Sequence, residues 1–415
     1  MKDNVFHLIG GLDIGNGYVK GKVVNANGGA SDLIDMPSAV VSFSRPNPKI
    51  PVPDDQAPSV TDDDFYNNLD ASFSSPLVQL SDRRIFGRKA LSIRGSRFVE
   101  FEVTGYHSKS EQELSKVLVL GIFAAKALRD YVTANGHLPD GELVAHVVAA
   151  LPLPISEFIN KQATYGAAFS SGDHLVIVKN FATPVSVRLK FESVTVLPEG
   201  ASAQFAIASG GVDLATRLIS DARAAGQDLE GVEPADLVGV RNTVGVDIGE
   251  GTVNFPVFTD GAFNGEASKT LDAGYGSALN SAVERMRDSD CSLSFSSRKQ
   301  LADFLSTSPS AFQRTRYNLA ADFVDDEAKY LVSDICSSLS DVLDQVSSTT
   351  EVVYVYGGGS ISLREQGFER FVATADPIPV FYVPSDFARQ LNCDGLMLAA
   401  RNAAADRDGF EPSQE

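Results

Sequence analysis

Apolar and polar positions along the chain follow two periods, and each period predicts a different element. From Val185 to Val196 apolar and polar residues alternate, which predicts a half-buried strand. Between Glu111 and Val132, and again over 327–346, apolar residues recur at helical spacing, which predicts two core-facing helices. The two predicted stripes are Leu114, Leu118, Ile122, Ala125, Leu128 and Val132, then Leu331, Ile335, Leu339, Leu343 and Val346. The mixture of periods indicates an α/β protein.

Two stretches share a strand–turn–strand pattern that contains one Asp and two glycines. The first is "LDIGNGYVK", within two strands predicted over residues 5–24, and the second is "VGVDIGEGTVNFPVF". A proline inside the strand after the second turn, Pro256, predicts an edge or a bulge. Near the C-terminus, Gly395 predicts a break in a helix, and the tail from Asp406 is expected to be disordered.

A glycine turn of this kind can direct its N–H groups at a phosphate, although an ordinary β-hairpin explains the first turn alone equally well. Two such turns in corresponding positions predict a clamp around a polyphosphate. The predicted phosphate-binding residues are Gly15, Asn16, Gly17, Tyr18 and Lys20 in the first turn, and Gly249, Glu250, Gly251 and Thr252 in the second. A surface lysine is the alternative for Lys20, and a solvated turn charge is the alternative for Glu250.

The turn aspartates, Asp13 and Asp247, cannot bind phosphate directly because like charges repel. They are expected to hold Mg²⁺, mostly through water, with the metal neutralising the phosphates. The simpler alternative is that each carboxylate caps its own turn.

A third glycine element follows the apolar stretch "EVVYVY". Its residues, Gly357, Gly358, Gly359 and Ser360, let the backbone approach a flat group such as adenine or ribose, and we predict an adenosine site there. Glu284 in "AVERM" is a candidate for the same base pocket, and an amphipathic helix face explains it as well.

Length and charge restrict the possible partners. A chain of 415 residues is too long for one simple core and predicts at least two domains. Its formal net charge of −19 repels nucleic acid and anionic lipid, so action on DNA would require an adaptor. Three cysteines without a C-x-x-C pair indicate neither disulfides nor a zinc site, and no apolar run approaches a membrane span. We expect a cytoplasmic protein without direct nucleic-acid or membrane contact.

These motifs, in this order, resemble the actin superfamily of ATPases over nearly the whole chain. "LDIGNGYVK" and "VGVDIGEGTVNFPVF" resemble its two phosphate motifs, and "VVYVYGGGSIS" resembles its adenosine motif. "LPEGASAQFA" and "NCDGLMLA" resemble its two connecting helices. "GNGYVK", "MPSAVV" and "VVAALPLPISEF" are most similar to the plasmid-segregation actins of the ParM or StbA type. Glu250 departs from the Gly or Asp of many relatives.

The resemblance implies an actin-like fold with two domains. Each would contain a mixed sheet of the five-stranded type flanked by helices, with a nucleotide cleft between the domains. Domain I is predicted over 1–210 and 388–415, and domain II over 211–387. Residues 44–76, rich in Pro, Asp, Ser and Asn, are predicted to form a mobile surface insertion outside the core of domain I.

For function, the resemblance implies a polar filament that assembles with ATP or GTP and Mg²⁺ and disassembles after hydrolysis. It implies plasmid or other DNA segregation through a small DNA-binding adaptor on a centromere-like site. Glu199, which opens the first connecting helix, would activate the attacking water, although a plain helix-start acid is the alternative. The competing function is a small-molecule, sugar-type kinase of the same superfamily, for which the sequence shows no separate catalytic base.

Overall fold

The computed structural model describes residues 4–43, 60–93, 97–101, 108–289, 291 and 293–408. The chain divides into two compact units. The first unit comprises Met1–Ala206 and Asn392–Glu415, and the second comprises Ile207–Leu391. The predicted domain boundaries lie four residues from each of these divisions, inside or beside helices of the connecting segments.

The strands are β1 (Val5–Ile14), β2 (Tyr18–Asn25), β3 (Asp32–Pro37), β4 (Ala39–Phe43), β5 (Asp70–Ser74), β6 (Arg83–Phe86), β7 (Arg97–Glu100), β8 (Leu143–Leu153), β9 (His174–Val178), β10 (Val185–Pro198), β11 (Thr243–Ile248), β12 (Val253–Phe255), β13 (Val257–Thr259), β14 (Ala262–Phe263), β15 (Lys269–Leu271), β16 (Val352–Tyr356) and β17 (Val380–Tyr382).

The helices are α1 (Gly87–Ser92), α2 (Glu113–Asn135), α3 (Ile155–Ser170), α4 (Ala201–Ser209), α5 (Gly211–Ala224), α6 (Pro234–Val238), α7 (Tyr275–Asp288), α8 (Arg298–Ser306), α9 (Arg314–Val346), α10 (Gly358–Ala375), α11 (Ser385–Ala388) and α12 (Leu391–Asp408). A short 3₁₀ helix spans Tyr66–Asn68.

The first unit is built on a ten-stranded sheet in the order β3-β2-β1-β8-β10-β9-β5-β6-β4-β7. Strand β1 pairs antiparallel with β2 and parallel with β8, which in turn pairs parallel with β10. The first five strands in this order form the predicted five-stranded type of sheet, and the other five extend it. The parallel pairs require crossover connections, which α2 and α3 supply on either side of β8 in the chain.

Helix α2 confirms its predicted stripe, since all six stripe residues are buried. The helix is also buried beyond that stripe, at Phe123 and even at Lys126. Lys126 Nζ is tolerated there because it lies 2.6 Å from Asp130 Oδ1 and 3.2 Å from Asp32 Oδ1. A helix enclosed on several faces explains why its apolar residues exceed those of a single amphipathic stripe.

The second unit repeats the arrangement of strands around β1 on a seven-stranded sheet. Its central strand β11 pairs antiparallel with β12 and β13 along one edge and parallel with β16 along the other. Strand β17 then pairs parallel with β16. Pro256 separates β12 from β13, which confirms the predicted interruption, since proline cannot donate to the ladder. Strands β12 and β13 share one position beside β11, and β14 and β15 share the next position outward. The seven strands therefore occupy five positions across the sheet, which is the five-stranded plan.

The predicted surface insertion over 44–76 is wrong for its second half. Residues 44–59 lie outside the described part of the chain. From residue 60 the chain enters the core: Val60, Phe65 and Phe73 are buried, and β5 pairs with β6 and β9. The polar composition misled the prediction because one of its acids is paired inside the fold and buried apolar residues stand among the polar ones. Asp70, almost fully buried, accepts from Arg83 Nε at 2.8 Å.

Two helices differ from their predicted extents. Helix α9 contains the predicted 327–346 stripe but begins earlier, at Arg314. The hydrophobic pattern did not predict these first turns because they are polar and exposed. The break predicted at Gly395 is also wrong. The helical segment is interrupted earlier, between α11 and α12, and Gly395 lies inside α12. A Cβ atom at Gly395 would overlap the Ser202 carbonyl in α4, so this glycine permits close helix packing. The tail predicted to be disordered from Asp406 is wrong for residues 406–408, which belong to α12, and residues 409–415 lie outside the described part.

Within the described ranges, no helix combines the length and apolar character that crossing a membrane requires.

Candidate functional site

The first Asp–Gly turn joins β1 to β2 as predicted. Asp13 lies opposite Lys20 in the ladder, and Ile14 lies opposite Val19. Gly15 N donates to Tyr18 O at 3.0 Å, and a Cβ atom on Gly15 would lie only 2.7 Å from the same oxygen. The tight closure of the turn therefore requires glycine at position 15.

Two carbonyl groups of this turn are occupied, and two of its N–H groups are available. Ser38, fully buried between β3 and β4, donates from Oγ to Gly15 O at 2.6 Å and from N to Gly17 O at 2.9 Å. Among the described residues, the backbone N–H groups of Asn16 and Gly17 have no hydrogen-bond acceptor. Successive free N–H groups at a turn form an anion-binding concavity, which is the arrangement that phosphate binding requires.

Four charged groups interact electrostatically around this turn. Desolvation raises the pKa of Asp13 above its usual value, Lys109 and Lys20 oppose the shift, and Glu199 adds to it. Glu199 also forms an ion pair with Lys109 Nζ, and both side chains are largely buried. The first turn therefore lies in a pocket of opposed charges whose balance a bound anion or cation would change.

Lys109 is a site residue that the sequence analysis missed. Its position is fixed by Glu157 in the first turn of α3, whose carboxylate accepts from Lys109 N at 2.7 Å and from Ser110 N at 2.9 Å. Its side chain also lies over the Phe101 ring. Because Lys109 stands 90 residues from Glu199 and in no motif, only the folded structure could connect the two.

Glu199 lies where the sequence placed it, between the end of β10 and the start of α4. Its N–H donates to Leu153 O at 2.7 Å, which ties the residue to the end of β8. The acid therefore stands in the short turn directly after β10, with its backbone tied to the neighbouring strand. Its catalytic role stays a prediction.

The second Asp–Gly turn repeats the backbone of the first. Asp247 lies opposite Asn254 and Ile248 opposite Val253. Gly249 N donates to Thr252 O at 2.9 Å, and a Cβ atom on Gly249 would lie 2.9 Å from that oxygen. The two turns therefore share their register, their closing hydrogen bond and their need for glycine.

The start of α7 occupies the carbonyl groups of the second turn. Tyr275 N donates to Gly249 O at 3.0 Å, and Gly276 N donates to Glu250 O at 2.8 Å. Within the described ranges, the N–H groups of Glu250 and Gly251 have no hydrogen-bond acceptor. This turn also presents free donors while its acceptors are satisfied, as an anion site requires.

Glu250 does not extend into solvent as an unpaired turn charge. Its Oε1 lies 2.8 Å from Arg298 Nε at the first residue of α8, and both side chains are mostly buried. The pair explains why an acid is tolerated beside a proposed phosphate site, since Arg298 neutralises it. Whether Glu250 approaches a metal stays a prediction.

The third glycine element packs directly on the second turn. Gly357 has φ of 92°, and a Cβ atom there would overlap Asp247 Oδ1 and lie 2.6 Å from Ile248 O. A Cβ atom on Gly359 would lie 2.8 Å from Ile248 Cγ2. These two glycines are explained by packing within their own unit, and Gly358 is the exposed member of the three.

The remaining members of the predicted adenosine site have different surroundings. Ser360 is fully buried, its Oγ donates to Gly357 O at 2.8 Å, and its carbonyl accepts from Tyr382 Oη at 2.9 Å. Glu284 is exposed on α7, whose buried face consists of Ala278, Leu279, Ala282, Val283 and Met286. An amphipathic helix accounts for Glu284, and the adenosine assignments stay predictions.

Metal binding by this chain would depend on more than its own side chains. Among the described residues, no group of three or more His, Cys, Asp or Glu side chains is arranged to hold a metal ion. The two turn aspartates stand in separate units. Carboxylate oxygens suit Mg²⁺, which usually retains several waters and binds one or two carboxylates together with substrate phosphates. Each turn aspartate supplies a carboxylate of this kind, and the metal assignment stays a prediction.

Comparison with known proteins identifies the fold. No protein-family model and no curated sequence matches the chain. Solved structures match over nearly its whole length, and the chain has the actin-like fold.

Three of these structures belong to ParM and related proteins. The actin-like protein Alp7A is 16% identical with a TM-score of 0.65, and the match covers 98% of each chain. A pCBH ParM mutant is 15% identical with a TM-score of 0.59, covering 96% of this chain and all of that one. Bacillus thuringiensis ParM with ATP is 14% identical with a TM-score of 0.58, covering 96% and 99%. The resemblance inferred from the motifs is confirmed at the level of the fold.

Proposed function

We propose that this chain is an actin-like ATPase that polymerises with Mg-ATP and disassembles after hydrolysis. The observation that carries the proposal is the pair of Asp–Gly turns, one in each unit, with the same register and with free N–H groups. Among its structural neighbours, the Bacillus thuringiensis ParM was solved with ATP and with ADP, and the pCBH ParM is described as a non-polymerisable mutant. Those descriptions support the same nucleotide and the same assembly here.

In the proposed ground state, the free N–H groups of both turns and Lys20 bind phosphate oxygens. Asp13 and Asp247 would hold Mg²⁺, mostly through water, and the ion would supply the positive charge that neutralises the polyphosphate. Gly358 and its neighbours lie beside the adenosine. GTP would satisfy the phosphate contacts equally, so base preference depends on this last part of the site.

In the proposed reaction, Glu199 orients or deprotonates a water molecule. The water oxygen bonds to the γ-phosphorus, the bond to the β–γ bridging oxygen breaks, and ADP and phosphate are formed. Lys109 holds the Glu199 carboxylate at the end of β10 and so acts as a positioning residue. Such a base must lie within about 3 Å of the water it activates.

The proposed cargo is a plasmid or another DNA element, bound through a small adaptor that occupies a centromere-like site. The chain's net charge of −19 supports the adaptor, because direct contact with DNA phosphates would be repulsive. In this proposal the adaptor binds both the DNA and the filament, and the chain itself does not contact DNA.

The test is sedimentation and light scattering after limiting ATP is added to the full chain with Mg²⁺. We expect scattering to rise and then decay as phosphate is released, and pelleting to require both Mg²⁺ and ATP. A protein that never pellets, and that consumes ATP only when a sugar-type acceptor is supplied, would be a kinase and would overturn the proposal.

A further inference from the structure

The first unit contains a cavity whose lining includes none of the residues predicted to bind the nucleotide. Its volume is about 440 Å³, which lies within the range of small-molecule sites. The cavity lies between the loop after β5, the start of α2 and one face of α3. Its walls combine apolar side chains with polar ones and include Pro76, Leu77, Gln79, Lys116, Tyr165 and Ala168.

The acids of the cavity already have partners. Glu113 accepts from Gln79 N at 2.6 Å and forms an ion pair with Arg84. Glu111 Oε1 accepts from Lys161 Nζ at 2.7 Å. Donors of the fold therefore satisfy both carboxylates of the lining, and neither requires a cation from outside.

One ammonium group of the lining lacks a carboxylate. Lys116 is half-buried in α2, and its Nζ donates to the Glu111 carbonyl at 3.2 Å. Among the described residues, Lys116 has no ion pair. Burial lowers the pKa of Lys116, although three nearby acids act in the opposite direction. The loss of water around this group therefore outweighs the attraction of the acids, and a bound anion would give the ammonium a partner.

The other groups of the cavity indicate what kind of anion fits. The side-chain amide of Gln79 makes no hydrogen bond within the described part of the chain, so it can donate to a second oxygen. One ammonium and one amide match the two oxygens of a carboxylate. The neighbouring Glu111 and Glu113 disfavour a ligand with a second negative charge, because like charges repel. An aliphatic body matches the apolar part of the wall, which consists of Pro76, Leu77 and Ala168.

The cavity shares a wall with the loop that carries Lys109. Ser110 and Glu111 line the cavity, and Lys109, immediately before them, forms the ion pair with Glu199. Lys161 holds the same loop from α3, because its Nζ bonds the Glu111 carboxylate. A change in how Glu111 is held is therefore transmitted to Lys109 through two peptide units.

We propose that this cavity binds a small aliphatic carboxylate that slows hydrolysis through the loop over 108–111. The carboxylate bonds Lys116 Nζ and the Gln79 amide, and its chain packs on the apolar wall. Lys116 then shares its ammonium between the ligand and the Glu111 carbonyl, which weakens its hold on the loop and loosens the positioning of Glu199. The effect on hydrolysis rests on the proposed function, whereas binding of the carboxylate does not.

Titration of hexanoate into the full chain, followed by NMR of the ligand, tests the site. At constant ionic strength, hexanoate should bind with a Kd of about 1 mM, as expected for a ligand of this size. The neutral alcohol 1-hexanol has the same chain length and should bind at least about tenfold more weakly, because it lacks the charge-assisted bond to Lys116. Equal binding of the two molecules would overturn the assignment of a carboxylate.

A charge-removing variant tests the role of Lys116. Lys116→Gln should weaken hexanoate binding at least about tenfold. Lys329→Gln removes an exposed lysine of the second unit and should bind hexanoate as wild type, so it is the matched control for net charge. Equal losses in both variants would mean that overall charge, and not this cavity, attracts the anion, and would overturn the proposal.

Filling the cavity tests its location without any change of charge. Ala168→Leu places a larger side chain in the lining and should abolish binding of hexanoate. Ala167→Leu is the control, since Ala167 is the exposed neighbour on the same helix and is not part of the lining. Hexanoate binding that survives in Ala168→Leu, or that is displaced by ATP in wild type, would place the ligand elsewhere and overturn the proposal.

Two measurements test the connection to Glu199. Saturating hexanoate should reduce phosphate release from Mg-ATP at least about fivefold in wild type, the lower end of usual allosteric coupling, and should leave Ala168→Leu unaffected. Without nucleotide, hexanoate should accelerate backbone hydrogen exchange over 108–111 in wild type and not in Ala168→Leu. Hexanoate that binds and changes neither quantity would overturn the control of hydrolysis.

Failure of the proposed function gives a different result. A wild type that releases no phosphate from Mg-ATP contradicts the ATPase proposal, while the titration and the hydrogen exchange, both measured without nucleotide, still show whether the cavity binds hexanoate and acts on the loop.

Discussion

The two Asp–Gly turns have the same backbone and different surroundings. Each closes with a glycine N–H donating across the turn, at 3.0 Å in the first and 2.9 Å in the second. The first turn is surrounded by ionisable side chains, with Lys20, Lys109 and Glu199 acting on Asp13. The second is covered by backbone, from the start of α7 and from Gly357, and its one described ion pair joins Glu250 to Arg298.

This difference indicates a division of labour within a repeated design. The ionisable groups around Asp13 can respond to a bound charge, whereas the second turn is shaped mainly by the glycine backbone that packs on it. We therefore expect the chemistry to depend on the first turn, and the geometry of the nucleotide to depend on the second.

The largest expected effect separates the two acids beside the turns. Glu199→Gln should reduce phosphate release by about 10²–10⁴-fold, as loss of a general base does, while ATP binding and assembly remain. Glu250→Gln should stay within about tenfold of wild type, since Glu250 is paired with Arg298. Phosphate release and light scattering are measured together. The scattering of the Glu199 variant should rise after ATP is added and should not decay. If only the Glu250 variant is slow, the base lies at the second turn.

The next effect concerns the Mg²⁺ ion that the two turns are proposed to share. Asp13→Asn and Asp247→Asn should each weaken Mg²⁺-dependent ATP binding by about 10–100-fold, the range for groups that hold a metal through its ligands. If both turns act on one ion, the double variant should lose little more than either single one. Calorimetry with and without Mg²⁺ measures this, and fully additive losses would indicate separate roles.

A smaller effect tests how tightly the second turn is covered. Gly357→Ala should cost about 1–3 kcal/mol more in unfolding free energy than Gly28→Ala. Both glycines have positive φ, 92° and 105°, but only Gly357 would meet neighbouring atoms. Urea unfolding followed by circular dichroism compares them. Equal losses would mean that backbone strain alone explains the glycine.

The smallest effect is a pH dependence specific to the first turn. Desolvation raises the pKa of Asp13, so wild type should lose Mg²⁺-dependent ATP affinity at a pH above that at which an ordinary aspartate titrates, about 3.9. Stability should move the other way: the folded state binds this proton more tightly than the unfolded chain, so acidification through the raised pKa favours folding. Asp13→Asn should remove both trends, measured as differences from wild type. A wild-type profile identical to that of the variant would contradict the assignment.

The sequence predicted the elements with strong local patterns. The strand–turn–strand pairs, the helix over Glu113–Asn135 and the interruption at Pro256 each follow from residues adjacent in the chain. The pairing partners could not be predicted, because Lys109, Arg298 and Ser38 reach the turns only through tertiary packing. The prediction for the polar segment from residue 60 was wrong for the same reason, since Asp70 is paired with Arg83 on the neighbouring strand β6.

The close contact between Gly395 and Ser202 affects how a sequence alignment of this chain with its homologues should be interpreted. A Cβ atom at position 395 would overlap the Ser202 carbonyl, so the packing of the two helices limits the volume of the residue there. If position 395 is glycine in every aligned homologue, that invariance would reflect the close approach of two helices. It would carry no information about the nucleotide or cargo of each homologue. Exposed positions such as Phe312, whose side chain is 95% exposed, carry no such limit on volume, and we expect divergence between homologues to appear there instead.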